Sequence, residues 1–345
     1  MAAIYRTQNK ATLIQIANDL VTGMGQNSPI FDIFPIQQRN HLKLRWRIKD
    51  NYRGLMKLRG AGGEPTRVNP VGEKVYEESP GVFGEFSTID EIQLMELARG
   101  IPKAMDIDVD LSSEVRERQA QLMERQMSRL RQMAWQSALT GTVNIALPGG
   151  GIGYSASYTI PTYTPAVLWT TPDTATPLKD FQTRQVAHGR GTSNMFNKLA
   201  TAYMNSYTLQ LMLNNTNAAD WGGKRSVGGG TVQGYGAYEA FRIDMDTPKI
   251  VVWDEGYEND AGVFTMDIPD GKILVVAARP NGEKPGEIQM TYNAVSEAPG
   301  AYAEVHDFTQ GDRKRIPPRV DVHAGFNGGQ VIERPTQLLV MTVTA

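Results

Sequence analysis

The chain contains no cysteine. That removes disulfides, thiolate zinc sites and cysteine nucleophiles at once, and it suits a reducing cytoplasm. Histidine is scarce. His41, His188, His306 and His323 are scattered, none in H-x-H or H-E-x-x-H spacing, so no metal site is expected. A surplus of either charge is also missing: 35 Lys and Arg face 37 Asp and Glu, for a net charge of −2. A dedicated nucleic-acid binder would carry a basic excess, whereas near-neutrality lets copies of a chain associate. No stretch approaches the ~20 apolar residues that span a bilayer. Residues 1–25 lack an unbroken apolar run of signal-peptide type, because Gln15, Asn18 and Asp19 interrupt it. There is no G-x-S-x-G elbow and no Walker loop. With no nucleophile–base constellation in view, the expectation is a non-enzyme without cofactor.

What is present is a chain of 345 residues, 41% hydrophobic, enough for two modest domains or one elaborated one. Residues 10–24 predict an amphipathic helix, with Leu13, Ile16, Ala17, Leu20, Val21 and Met24 at helical spacing. The run SPIFDIFP, residues 28–35, reads as a short apolar anchor. Residues 42–48 then alternate. Leu42, Leu44, Trp46 and Ile48 share one face; Lys43, Arg45, Arg47 and Lys49 share the other. The strand signal continues to about Arg59, a Gly-rich loop follows at 60–65, and a return arm is expected over 67–86. At ~3.3 Å per residue such arms would reach ~55 Å, against a radius of gyration of ~20 Å for a compact body of this length.

Next, Thr88 and Glu91 are placed to form a T-x-x-E capping box, with Gly100 and Pro102 ending the helix. From Ser112 to about Leu139 one long amphipathic helix is predicted, its stripe made of Val115, Leu122, Met123, Met127, Leu130, Met133 and Ala134. On this view neither the basic arm nor the long helix can bury itself within one compact domain, so both imply other copies of the chain. Beyond Gly141, strands are expected at 142–147, 154–161, 197–204, 249–254, 263–266, 272–277, 287–292 and 337–343, and helices at 177–188 and 206–214. The Gly-rich stretch 222–236 reads as a loop.

Several motifs compete with this structural picture. Gly151-Ile152-Gly153-Tyr154-Ser155-Ala156 matches G-x-G-x-x-A, but dinucleotide binding needs the loop to open a helix, and the following residues extend. A Gly-rich hairpin turn is the simpler account. Asp106, Asp108 and Asp110 would put three carboxylates on one side of an extended segment, yet the EF-hand pattern fails and a helix N-terminus favours such charge anyway. The basic face, taken as Lys43, Arg45, Arg47, Lys49 and Arg59, is expected to dock on acidic residues of a neighbouring copy. Glu77, Glu78, Glu85, Asp90, Glu91 and Glu96 are the acidic candidates. A nucleic-acid role is weakened by thin aromatic interleaving, with only Trp46 and Tyr52.

The order of these segments resembles the major capsid proteins of tailed bacteriophages, specifically the lambda-like major capsid protein E group with the Hong Kong 97-type fold. SPIFDIFP resembles that family's apolar anchor. SPGVFGEFSTIDEIQLMELARG resembles the end of the extended loop and the helix after it. VRERQAQLMERQMSRLRQMAWQSALTGTVNI resembles the spine helix entering a strand, and IPDGKILVVAARPNGE with GEIQMTYNAV resembles late strands of the axial domain.

The resemblance implies an α+β subunit in parts. These are an N-terminal arm (1–41), an extended loop (42–86), a peripheral domain (87–178) with spine helix 112–139, an axial domain (179–321) and a C-terminal return to the peripheral domain (322–345). It implies self-assembly, in pentamers and hexamers, into an icosahedral shell around double-stranded DNA held without sequence specificity. Implied partners are a separate scaffolding protein, a portal protein and, in some relatives, a decoration protein. The virion would be its location, after assembly in the host bacterial cytoplasm. Some relatives link copies through a loop lysine; Lys49 and Lys57 are the residues on offer. The alternatives are an encapsulin-type compartment, which shares the fold, and an enzyme of unknown type with 222–236 as a lid.

Overall fold

The computed structural model of the chain describes residues 5–6, 28–49, 55, 73–98, 109–147, 149–216, 226–227, 230–231, 246–259, 262–309 and 316–345. The helix expected at 10–24, the outer part of the two-stranded arm with Arg59, the helix end at Gly100 and Pro102, Asp106 and Asp108, and most of 222–236 lie outside the described residues.

The first helix among the described residues, α1 (Pro29–Ile33), starts with Pro29 in its first turn, where a missing N–H costs nothing. It is the expected anchor: Ile30, Phe31, Ile33 and Phe34 are all buried. After β1 (Ile36–Gln38) come β2 (Leu44–Lys49) and β3 (Glu73–Glu78), paired antiparallel with Trp46 opposite Tyr76. The alternation begins one pair later than expected. The chain bends at 42–43, which leaves Leu42 74% exposed while Leu44 and Trp46 are buried. Next are β4 (Gly81–Ile89) and α2 (Glu91–Ala98). The capping box of α2 is Asp90 and Gln93, not Thr88 and Glu91. The Asp90 carboxylate accepts from the Gln93 N–H at 2.9 Å, and the Gln93 amide oxygen accepts from the Asp90 N–H at 3.3 Å. Thr88 still belongs to β4, where its hydroxyl donates to Asp321 at 2.8 Å.

The long helix α3 spans Ser112–Thr140 and ends on Gly141, whose φ of 73° is the left-handed cap that a side chain would oppose. Strands β5 (Thr142–Ala146) and β6 (Ile152–Ser157) follow as a hairpin through the glycine turn. The G-x-G-x-x-A motif therefore runs from the turn at Gly151 into strand β6, with no helix behind it. Its Tyr154 is buried, and its hydroxyl donates to the Gln330 carbonyl at 3.4 Å. The further elements include β7 (Thr162–Tyr163), α4 (Pro177–Gly189), β8 (Thr201–Met204), α5 (Ser206–Leu213), β9 (Lys249–Val252), β10 (Gly256–Glu258), β11 (Phe264–Met266), β12 (Lys272–Val276), β13 (Gly286–Met290), β14 (Ala301–Asp307), β15 (Val320–Ile332) and β16 (Leu338–Thr342).

Two five-stranded sheets organise the molecule. One has the order β9-β8-β12-β16-β7, and its central strands carry a hydrophobic core on each face. Leu274 and Val340 point to the core shared with α3, while Ile273, Val275 and Met341 point to the core under α4 and α5. The other is built on β15. Residues Val320–Gly328 pair with β4 along one edge, and β14 then β13 pair along the opposite edge, with β1 outside β13. The stripe of α3 packs into the core on this sheet, joined by Gln119, Gln126 and Trp135 among its buried residues.

This packing corrects one expectation. The long helix and the base of the arm both bury their apolar faces inside their own chain, because the β15 sheet supplies the matching apolar face. The sheets also cross the segment boundaries drawn from the sequence. β16 pairs with β12 in the same sheet as β8, and β13 and β14 pair with β15 beside α3. β15 itself gives little signal, since Gly325, Gly328 and Gly329 interrupt its apolar pattern. They are there because neighbours come close: a Cβ on Gly325 would sit 2.6 Å from the Tyr302 hydroxyl, and one on Gly329 would sit 2.7 Å from Leu44 Cδ1.

Candidate inter-subunit surface

The base of the arm is held to the body by β13. The Gln289 side chain acts as a substitute strand: its Nε2 donates to the Arg45 carbonyl at 2.9 Å, and its Oε1 accepts from the Arg45 N–H at 3.1 Å. On the buried side Trp46 stacks on Tyr76 at 5.4 Å between ring centroids and lies against Tyr158 at 6.0 Å. The hydroxyl of Tyr158 donates to the Gln330 carbonyl at 2.6 Å, and burial pushes its ionisation far above the ordinary phenol value.

On the open side lies a cleft of about 350 Å³. Arg39, Arg45, Arg47 and Arg334 line it with His41, against the carboxylates of Glu287 and Glu333. Its geometry is built, not loose. Arg39 grips Glu287 with two bonds of 3.0 and 2.7 Å, which hold the guanidinium above its usual value. Arg334 reaches Glu283 at 3.3 Å and Glu333 at 3.5 Å. Burial, then the charge of Glu287, raises the Glu333 carboxyl above the ordinary carboxylate value.

Of the residues expected at this surface, Arg45 and Arg47 line the cleft, and Lys43 is exposed just before β2. Lys49 is described by its backbone alone, opposite Glu73, and Arg59 lies outside the described residues. Three of the six acidic candidates are engaged within the chain, while Glu91 and Glu96 are exposed on α2. Glu77 meets Arg45 at 3.5 Å, Asp90 caps α2, and Glu85 takes two bonds from Arg125 at 2.5 and 2.9 Å, which hold its carboxyl below the usual value. Burial raises the Glu78 carboxyl. Sequence alone did not point to Arg39, Glu287, Gln289 or Arg334, because they join the cleft through pairings between distant segments. Among the described residues no group of three or more metal-ligating side chains is assembled, and no helix is long and apolar enough to cross a membrane.

No protein-family profile and no curated protein matches the sequence. Among solved structures, the chain is similar over 100% of its length, and 100% of the other, to a candidate prophage capsid protein of E. coli CFT073, at 13% identity and a TM-score of 0.58. It is similar over 99% of its length to a phage-related protein of Bordetella bronchiseptica RB50, of which 98% is covered, at 11% identity and a TM-score of 0.55. The fold is thus the α+β fold of the phage capsid class, in line with the Hong Kong 97-type fold that the sequence resemblance implies.

Proposed function

We propose that this chain is the major capsid protein of a tailed bacteriophage, a structural and non-catalytic subunit. Its copies, in pentamers and hexamers, close into an icosahedral shell around double-stranded DNA. The observation that carries this is likeness over the whole of both chains to the prophage capsid fold, with no part of either left over. The arm supports it: its base is fixed by Gln289 and Trp46, so the segment beyond Lys49 leaves from a rigid platform.

In this proposal residues 1–41 are the N-terminal arm, 42–86 the extended loop, 87–178 the peripheral domain and 179–321 the axial domain. Residues 322–345 return to the peripheral domain, with β16 running through the axial sheet. Lys43, Arg45, Arg47, Lys49 and Arg59 serve contacts between subunits. A separate scaffolding protein, a portal and a decoration protein are the partners to look for. Assembly in the host bacterial cytoplasm and residence in the virion follow from the same role.

The test is expression with a candidate scaffolding protein, read by sedimentation and negative-stain microscopy. Closed megadalton shells are expected, since closed symmetry satisfies every copy's contact surfaces. A chain that stays monomeric at every salt and scaffold condition would overturn the proposal. Nuclease-protected double-stranded DNA in the particles separates a virion from a protein-filled compartment.

A further inference from the structure

The hairpin β10–β11 is the acidic counterpart of the arginine-lined cleft. Asp254, Glu255 and Glu258 place three carboxylates within five residues, and all three are exposed. Among the described residues this two-stranded ladder joins neither large sheet. Its root is rigid. Arg131 of α3 donates to the Gly256 carbonyl and pairs with Asp267 at 3.1 Å, and the Trp253 indole donates to the same Asp267 oxygen at 3.0 Å. Its outer part is unusual in what it shows to solvent: Val263 and Phe264 are more than half exposed. Glu258 lies directly opposite Phe264 across the ladder, so a carboxylate and an aromatic ring share one face. Because its root is held on α3, that part of the element loses little freedom on docking.

Of the acidic residues nearer the arm, Glu77, Glu85 and Asp90 are engaged inside the chain, while Glu91 and Glu96 are exposed on α2. The cleft meanwhile is lined by four arginines and His41 with two glutamates; Glu77 and Glu283 at its margin pair with Arg45 and Arg334, and the exposed Leu42 follows His41 in the chain. We infer that the β10–β11 hairpin of one copy docks into the Arg39–Arg45–Arg47–Arg334 cleft of the next. Glu255 and Glu258 approach the arginines there, and Phe264 covers Leu42. The two surfaces are different patches of the same chain, so the contact is head-to-tail, the kind that closes into rings. Complementary charge fixes which copy docks where and in what register. The inference rests on the shell proposal and names the partner segment for its basic surface.

The experiment uses the full chain expressed with its scaffold. Replacing Glu255→Lys with Glu258→Lys should deplete closed shells, as should Arg45→Glu with Arg47→Glu, and combining all four should restore them. Because the chain has no cysteine, a cross-link gives a second, background-free readout. Shells carrying Arg47→Cys and Glu258→Cys should yield ladders of linked chains on oxidation, whereas either substitution alone should leave monomers. If the wild type forms shells but the fourfold exchange does not restore those lost in the double variants, and the cysteine pair gives only monomers, the docking is overturned while the shell proposal stands. A wild-type chain that forms no shells would remove both.

Discussion

Arg45 and Glu77 face each other across the β2–β3 ladder, Nε to Oε1 at 3.5 Å, within a single chain. The carboxylate expected from a neighbour is thus already met in part by the adjoining strand. Both side chains are about half exposed, so the pair adds only ~0.2–1 kcal/mol to the subunit and is screened by salt. Its larger effect is to orient the Arg45 guanidinium at the mouth of the cleft.

Arg45→Glu with Arg47→Glu should therefore lower the melting temperature of the isolated subunit very little. Assembly should be impaired, and the defect should vary with salt concentration, because what is lost is complementary charge between copies. Calorimetry of the subunit and light-scattering of assembly measure the two effects. Normal shells that package DNA poorly would instead turn this surface toward the genome.

Deleting residues 50–75 should leave a soluble, folded subunit that fails to form stable shells. Leu44, Trp46 and Tyr76 remain after that deletion, and with them the apolar base of the arm. Circular dichroism and sedimentation would check it. An unfolded product would mean that the outer arm belongs to the subunit's own core.

The sequence carried the elements whose signals are local. The Met and Leu stripe from Val115 to Ala134 marked α3, and Gly141 marked its end, where φ is positive. The apolar run of SPIFDIFP marked the anchor now seen buried. What depends on distant pairing stayed hidden. β15, 13 residues long, was masked by glycines whose reason is the closeness of Tyr302, Tyr154 and Leu44. Thr88 looked like a helix cap until its bond to Asp321 placed it in a strand. In the candidate site the alternation of Arg45, Trp46 and Arg47 was legible. The roles of Gln289, Glu287 and Arg39 arise only where β13 brings them beside β2.

Gly329→Ala tests that account of β15. The added methyl would crowd Leu44 Cδ1 at 2.7 Å and the Tyr154 hydroxyl, both in the interior. A loss of about 1–3 kcal/mol is expected, the usual cost of overfilling a packed site. Gly149→Ala, where a methyl meets nothing within 4 Å, should change stability by no more than about 0.5 kcal/mol. Urea denaturation of the two variants decides the matter; equal effects would mean that β15 tolerates side chains at its close approaches.

Arg131→Met tests the bracket that roots the acidic hairpin. The Asp267 side chain is wholly buried and Arg131 is its charge partner at 3.1 Å. Removing one partner of a buried pair leaves the other uncompensated, at a cost of about 3 kcal/mol or more. Burial already holds the Asp267 carboxyl above its ordinary value, opposed by the Trp253 hydrogen bond and the Arg131 charge. A carboxyl raised on folding binds its proton more tightly in the native state. Its stabilising contribution is therefore full in acid and fades as pH rises through the raised value. Without Arg131 that value climbs further, so the fade extends to higher pH and deepens. The gap between wild type and variant should be widest near neutral pH and should narrow on acidification toward the ordinary carboxylate range. Denaturation curves across that range measure it. A gap that stayed constant with pH would show that Arg131 acts through its bond to the Gly256 carbonyl and its packing alone, with Asp267 carrying no charge in the folded chain.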